Sequence, residues 1–312
     1  MNSTTGHIPI IPFGPDATCT LELCPIEYSI FHYRPSLAAN ITFLILHFVL
    51  MLTHLGLGLR LGNWWFSGSV IAGCVSNIVG YGGRILLWQN PFSFAGFLLQ
   101  IILVGSAPVY YTAAIYVTIT RTVENLDESL SRIKPNLYYI IFISCDVAAL
   151  VFQAVGGDVT PTSALSSLSN GANKAGVDLA LTGLTFQVAT LLAFVGLFAD
   201  YLIRYFRTKP IASVSTKLKL FLGSLSVAIL LILVRCAYRV AELSEGYRGT
   251  LFHDQGLFIG LEGVLIVLAV VALITGHPGF VFNGHRMNVK KAYSPVMDPS
   301  GTESGIELVE AK

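Results

Sequence analysis

Apolar residues in this chain run in long continuous blocks, not in alternation. Seven blocks stand out, at residues 36–59, 64–88, 92–120, 137–155, 177–203, 218–238 and 255–276. An α-helix needs roughly 20 such residues to cross a bilayer core. Within hydrocarbon every backbone N–H and C=O must find a partner in the protein, and a helix supplies those partners locally. The alternating segments of about 10 residues that mark a membrane β-barrel are missing. The pattern predicts an all-α integral membrane protein, a seven-transmembrane-helix bundle. It divides the chain into an N-terminal tail (1–35), a seven-span domain (36–279) and a polar tail without predicted structure (280–312).

Composition supports that picture. Hydrophobic residues make up 54% of the chain and charged residues 12%, against roughly 25% charged in soluble domains. Charge placement then orients the bundle, because cytoplasmic loops gather lysine and arginine. If the N-terminus lies outside, the inner segments hold thirteen of the nineteen lysines and arginines and the outer segments four. Arg84 and Arg235 fall within spans. The expected topology is N-terminus outside, C-terminus cytoplasmic. The expected location is the plasma membrane, with vacuolar or other secretory membranes as alternatives.

The first 35 residues hold no apolar core of a cleavable signal and include Pro9, Pro12, Pro15 and Pro25. The first span is therefore expected to act as the targeting signal. Asn2-Ser3-Thr4 is a glycosylation acceptor pattern on the predicted outer tail. Cys19 and Cys24 share that oxidising side, where a bridge would staple a small loop; the spacing leaves the bridge open. Cys74, Cys145 and Cys236 lie in spans and read as small apolar fillers. No phosphate-cradling glycine-lysine loop and no basic stripe is present, so neither ATP nor nucleic acid is expected as a partner. No cofactor or metal is expected either. His47 and His54 stand seven residues apart, about 10 Å along a helix, too far to share one ion.

The informative residues are ionisable groups inside the spans. Such groups are costly in lipid, so they face the bundle interior, pair with one another, and mark functional sites. Arg235, Arg239 and Glu242 are spaced to form one helical stripe, followed by His253 and Asp254. Glu262 in the seventh span is a candidate partner for this cluster. The cluster reads either as an ion-pair lattice locking the last two helices or as a polar vestibule for a lipid headgroup. Arg84 in the second span needs a partner, with Asp146 or Glu262 as candidates. Asp146 and Gln153 lie on nearly one face of the fourth span, and Gln187 offers an inward amide from the fifth. Pro108 is expected to loosen the third helix. Gly256-x-x-x-Gly260 fits a helix-contact face. Residues 156–176 read as a mobile outer loop.

Several stretches carry a joint resemblance. They are Tyr33-x-Pro35-Ser36, Gly80-Tyr81-x-x-Arg84, Ala107-Pro108 with Ala113-Ala114-Ile115-Tyr116, and Asp146 with Gln153-x-x-Gly156-Gly157. Further on come Gly183-Leu184-x-x-Gln187, Arg235-x-x-Tyr238-Arg239-x-x-Glu242-x-x-x-Gly246, His253 and His277-Pro278-Gly279. In order and spacing the chain resembles the fungal seven-span lipid-translocating exporters, also called resistance-to-aminocholesterol-like (RTA-like), which include sphingoid long-chain-base exporters. The resemblance runs from about Tyr33 to Gly279. It implies movement of, or resistance to, amphipathic lipids such as long-chain bases, sterol-like compounds or phospholipids, with membrane lipids as partners and no catalysis. Against the family pattern, Asn77 stands where a glutamate is usual. Asp254 replaces a glutamate and Glu262 an aspartate. The first exchange removes a counter-ion for Arg84.

Two rival functions fit seven spans. A receptor or lipid sensor would suit the count and orientation, but a D-R-Y-type end to span three and an N-P-x-x-Y in span seven are missing. An intramembrane metal hydrolase would need converging histidines and carboxylates, and His253, Asp254 and His277 are not so spaced.

Overall fold

The computed structural model describes Gly14 and residues 17–163, 170–209, 214–245 and 249–282. Among the described residues there is no strand, and seven helices are long and apolar enough to cross a membrane. Six are single helices: α1 (Leu37–Leu61), α2 (Trp64–Gln89), α3 (Phe94–Leu126), α4 (Pro135–Ser163), α5 (Asn170–Thr208) and α6 (Thr216–Ser244). A short turn, α7 (Thr250–His253), leads to the seventh span, Gln255–Phe282. That span is composite. A first turn, α8 (Gln255–Leu257), passes through a π-helical turn, Phe258–Val264, into α9 (Leu265–Thr275). Asn2 and residues 283–312 of the predicted C-terminal tail lie outside the described residues, and residues 280–282 are helical at the end of the seventh span.

The helix starts are set locally. Ser36, Ser93 and Ser215 each accept a hydrogen bond from an amide in the first turn of α1, α3 and α6, satisfying donors that a helix start leaves open. Gly62 ends α1 at φ 72°, a left-handed conformation open to glycine. The stretch 156–176, expected as a loop, is largely helical: α4 continues to Ser163 and α5 begins at Asn170. Helix propensity is only a weak preference, so the polar composition of Thr160, Thr162 and Ser163 does not end α4 there.

The outward faces are apolar. Ile45, Val49, Val151, Leu230, Val234 and Leu268 are all exposed, as a bundle solvated by lipid tails requires. Helix association there relies on close packing of small residues. A Cβ on Gly83 of α2 would sit 2.8 Å from the Gly96 carbonyl of α3, and one on Gly183 of α5 would sit 2.7 Å from the Ala149 carbonyl of α4. The Gly256/Gly260 pair makes no such approach: a Cβ at Gly260 would meet nothing within 4 Å, and one at Gly256 only the neighbouring Asp254. That expected contact face is corrected: open space lies beside Gly260, and Gly256 falls in the first turn of the span beside its cap, Asp254. With its apolar exterior and seven spans, this is a multi-pass membrane protein.

Cys19 and Cys24 are bridged, burying both sulfurs against Phe92 at the start of α3. The segment before α1 folds over the same end of the bundle. Phe31 stacks on Phe252 at 5.0 Å. His32 stacks on His253 at 4.2 Å, with His32 at φ 55°. Burial, then the neighbouring His253 ring, holds the His32 pKa below its usual value against the opposing pull of Glu27.

Candidate functional site: a charge lattice beside an intramembrane cavity

Proline 108 has no N–H, so the carbonyl four residues earlier, Val104, loses its helical partner. Arg235 of α6 fills that vacancy: its Nη2 donates to the Val104 carbonyl at 2.6 Å. The same nitrogen contacts Glu262 Oε1 at 2.8 Å. The defect in α3, the arginine of α6 and the carboxylate of the seventh span are thus one unit. Glu262 sits in the π-turn Phe258–Val264. Such turns insert one residue into a helix, re-aim its side chains and recur at functional sites.

A second arginine extends the unit. Arg239 Nη1 pairs with Glu242 Oε2 at 2.6 Å and approaches Glu262 Oε2 at 3.5 Å. Arg235, Glu242 and Glu262 are almost fully buried, and Arg239 is partly open. The two arginines and two carboxylates balance, which removes the cost of an isolated charge in a low-dielectric interior. The ion-pair lattice expected between the last two spans is therefore present.

It borders open space. A cavity of about 320 Å³ lies between α3, α4, α5 and α6, with Arg235, Arg239, Gln153 and Gln187 among its walls. Gln153 Nε2 donates to Gln187 Oε1 at 2.9 Å. The remaining wall is largely apolar, including Ile101, Leu150 and Leu184. A few polar groups set in an apolar lining match the anatomy of small-molecule sites, which run to roughly 300–1,000 Å³. The lattice expected from the sequence thus borders a cavity.

Other predicted residues lie elsewhere. Asp146 of α4 is buried on α3, where its Oδ2 accepts from the Thr112 hydroxyl at 2.9 Å and the Tyr116 hydroxyl at 3.2 Å. Arg84 pairs with neither Asp146 nor Glu262, a correction to the expected partners. Its Nε donates to Asn40 Oδ1 at 3.1 Å and its Nη2 to the Tyr33 hydroxyl at 3.2 Å. Its guanidinium lies 3.7 Å from the centre of the Phe258 ring. Asn77, in the place of the family's glutamate, donates to the Tyr111 hydroxyl at 2.9 Å. It stands two turns, about 10 Å, from Arg84 along α2. Asp254 does not face the cavity: its Oδ1 accepts from the Gly256 and Leu257 amides and caps the seventh span. His253 faces the Phe31 carbonyl at 3.0 Å and holds the pre-span segment.

Three features escaped sequence reasoning. The Val104 carbonyl is a backbone group, identified only by counting four residues back from Pro108. Tyr33 and Asn40 reach Arg84 from a different helix and its approach segment. Thr112 and Tyr116 lie on one face of α3, four residues apart, which was visible but had no stated partner.

Comparison with known proteins adds an independent line. The family described as RTA1 like protein matches residues 70–285. The chain is 28% identical to the sphingoid long-chain base transporter RSB1 of Saccharomyces cerevisiae, in an alignment of 289 residues covering 82% of this chain and 75% of that relative. It is 29% identical to the Saccharomyces cerevisiae protein RTM1, covering 65% of this chain and 64% of that one. It is 27% identical to protoporphyrin uptake protein 1 of the same organism, covering 65% and 66%. No solved structure matches. Seven membrane-length helices and a family match over most of the spans lead to one statement: this chain belongs to the RTA1-like family.

Proposed function

We propose that this protein translocates amphipathic lipids that carry a cationic headgroup, sphingoid long-chain bases being the foremost candidates. The observation that carries the reading is the cavity between α3, α4, α5 and α6, walled by Arg235, Arg239, Gln153 and Gln187 and backed by Glu242 and Glu262. A headgroup crossing a bilayer needs polar contacts while its chain stays in hydrocarbon, and this cavity offers both. The printed name of the relative RSB1 supports the lipid class. The names of the relatives also favour transport over catalysis.

The lattice suggests how a cation is received. Arg239 is the least buried of its four members. An ammonium arriving from the cavity would take the place of Arg239 beside Glu242 or Glu262. Exchange of one cation for another keeps the carboxylate paired, and the guanidinium it frees is the most exposed of the four, so the cost stays below that of baring a buried carboxylate. In this reading the N-terminus faces outward, the cavity opens in the outer half of a plasma or other secretory membrane, and no nucleotide is consumed.

The test is reconstitution into phosphatidylcholine liposomes, scoring flip of a labelled long-chain base against a labelled phospholipid. The expected outcome is faster flip of the base, lost in Glu242→Gln while that variant still inserts and remains folded. Normal flip by Glu242→Gln would reject the assignment. Saturable binding of the base without any flip would favour a receptor or sensor.

A further inference from the structure

A second cavity, of about 640 Å³, lies at the other end of α3 and α4. Its walls include Trp65 of α2, Val117, Thr120, Arg121 and Glu124 of α3, and Ile140 and Ser144 of α4. Both cavities open on one stripe of α3. Leu103, Ser106 and Tyr110 line the first and Val117, Thr120 and Glu124 the second, all at the three-to-four-residue spacing of a single helix face. The position missing from the stripe is Ala113, a small residue. On α4 the stripe is Ile140, Ser144, Leu150 and Ala154, and the missing position is Val147, which is exposed on the bundle surface. The two cavities are therefore ends of one seam, separated by a neck about 10 Å long from Tyr110 to Val117.

One carboxylate bridges α3 and α4 at the height of the neck. Asp146 adjoins Val147 and is hydrogen-bonded to Thr112, which adjoins Ala113. Both of its bonds fall on Oδ2, and Oδ1 is buried without a hydrogen-bond partner among the described residues. Tyr116, the second donor, is packed against Phe142 and Phe194 at 5.5 and 4.4 Å, so the carboxylate is held in place from the bundle side.

We propose that the α3–α4 seam is the headgroup route between leaflets, with the second cavity as a lipid site at the opposite membrane face and Asp146 as the midway acceptor. This deepens the translocator reading and rests on it. The chemistry selects the cargo. A lone carboxylate at the neck attracts an ammonium and repels a phosphate, because opposite charges attract strongly where water is scarce. The second cavity carries both signs: Glu124 takes the ammonium beside Arg121, so discrimination against a phosphate falls to Asp146 at the neck, and Thr120 and Asn136 offer hydrogen bonds to neighbouring hydroxyls. Trp65, Val117 and Ile140 receive the start of the chain. The exposed side of the neck leaves the rest of the chain in lipid.

The experiment uses the full-length protein in phosphatidylcholine liposomes with a photoactivatable, alkyne-tagged sphingosine and its 1-phosphate. Expected results are sphingosine cross-links in peptides covering 117–124 and 136–144 as well as 101–110 and 150–154. Ser144→Trp, which fills the second cavity, should remove the former cross-links and slow flip at least tenfold. Asp146→Asn should slow flip at least tenfold while both cavities still label. Leu268→Trp, on the lipid-facing side of α9, should flip within twofold of the parent. Thermal unfolding and gel filtration confirm that each variant is folded; should Asp146→Asn unfold, Tyr116→Phe with Thr112→Val tests the same neck. Cross-links confined to the first cavity, parental flip by both Ser144→Trp and the neck variant, or equal flip of the phosphate would overturn the seam. Absence of any lipid flip by the parent protein would overturn the translocator reading itself, and the seam with it.

Discussion

Two buried cations in this bundle are accommodated in opposite ways. Arg235 has a carboxylate, Glu262, at 2.8 Å and a backbone carbonyl at 2.6 Å. Arg84 has neither an aspartate nor a glutamate at salt-bridge distance among the described residues. A neutral amide, a phenol and an aromatic face answer its charge instead. A guanidinium over an aromatic ring gains about 2 kcal/mol when desolvated, and weak hydration makes arginine suited to such a nest. The comparison teaches that the two places differ in what can be exchanged. In the proposed translocation an ammonium would compete for the carboxylates of the lattice, whereas it would meet no anion beside Arg84. One region pairs its cations with carboxylates, and the other answers its cation with neutral groups.

The sharpest way to break this contrast is to delete a carboxylate. Glu262→Ala leaves Arg235 and Arg239 short of an anion in a dry interior, and breaking a buried pair from one side costs about 3–5 kcal/mol. Thermal unfolding in detergent should show the largest fall of any variant here. The double variant Arg235→Met/Glu262→Met should recover much of that stability and none of the flip. A smaller effect is expected from Arg84→Met. It strands the Asn40 carbonyl and the Tyr33 hydroxyl, each an unsatisfied group worth about 1–3 kcal/mol at most, but creates no bare charge. Its flip rate, measured per folded protein, should stay near that of the parent. If Arg84→Met destabilises as much as Glu262→Ala, the two regions do not differ as described.

Pro108→Ala probes the link between lattice and helix. The alanine amide returns the missing donor to Val104, so Arg235 loses its exclusive hold on that carbonyl. Stability should change by about 1 kcal/mol or less, since the gained backbone bond offsets the lost side-chain bond, while flip slows several-fold because Arg235 is no longer anchored on α3. The mildest expected effect lies at the pre-span segment. The His32 pKa is lowered in the folded protein, so protons favour the undocked segment. Docking is complete above the ordinary histidine pKa of about 6.5 and weakens as pH falls below it. Hydrogen exchange of residues 20–36 should be faster at pH 5.5 than at pH 7.5, and His32→Ala should remove the difference.

The candidate site was only partly legible in the chain. Arg235, Arg239 and Glu242 were grouped by their helical spacing, and that spacing survives as the pair Arg239–Glu242. Glu262 was named as their partner because its depth in the seventh span matched theirs. Gln153 and Gln187 were each read as facing inward, and they meet across α4 and α5. Arg84 was misassigned. Spacing along one helix says which residues share a face, but not which of two distant carboxylates, or neither, that face will meet. Asp254 shows a similar limit: an acidic residue just before an apolar run is as good a helix cap as a path residue, and the capping bonds depend on where the chain turns.

Span count, helical class and lipid exposure follow from contiguous residues, because burying a polar backbone in hydrocarbon leaves the helix as the economical local answer. The π-turn that aims Glu262, the arginine that completes the carbonyl orphaned by Pro108 and the seam that joins two cavities are of another kind. Each depends on the relative height and rotation of helices far apart in the chain, quantities set by small-residue packing such as Gly83 against Gly96. No single segment encodes them, and they exist only once the bundle has assembled.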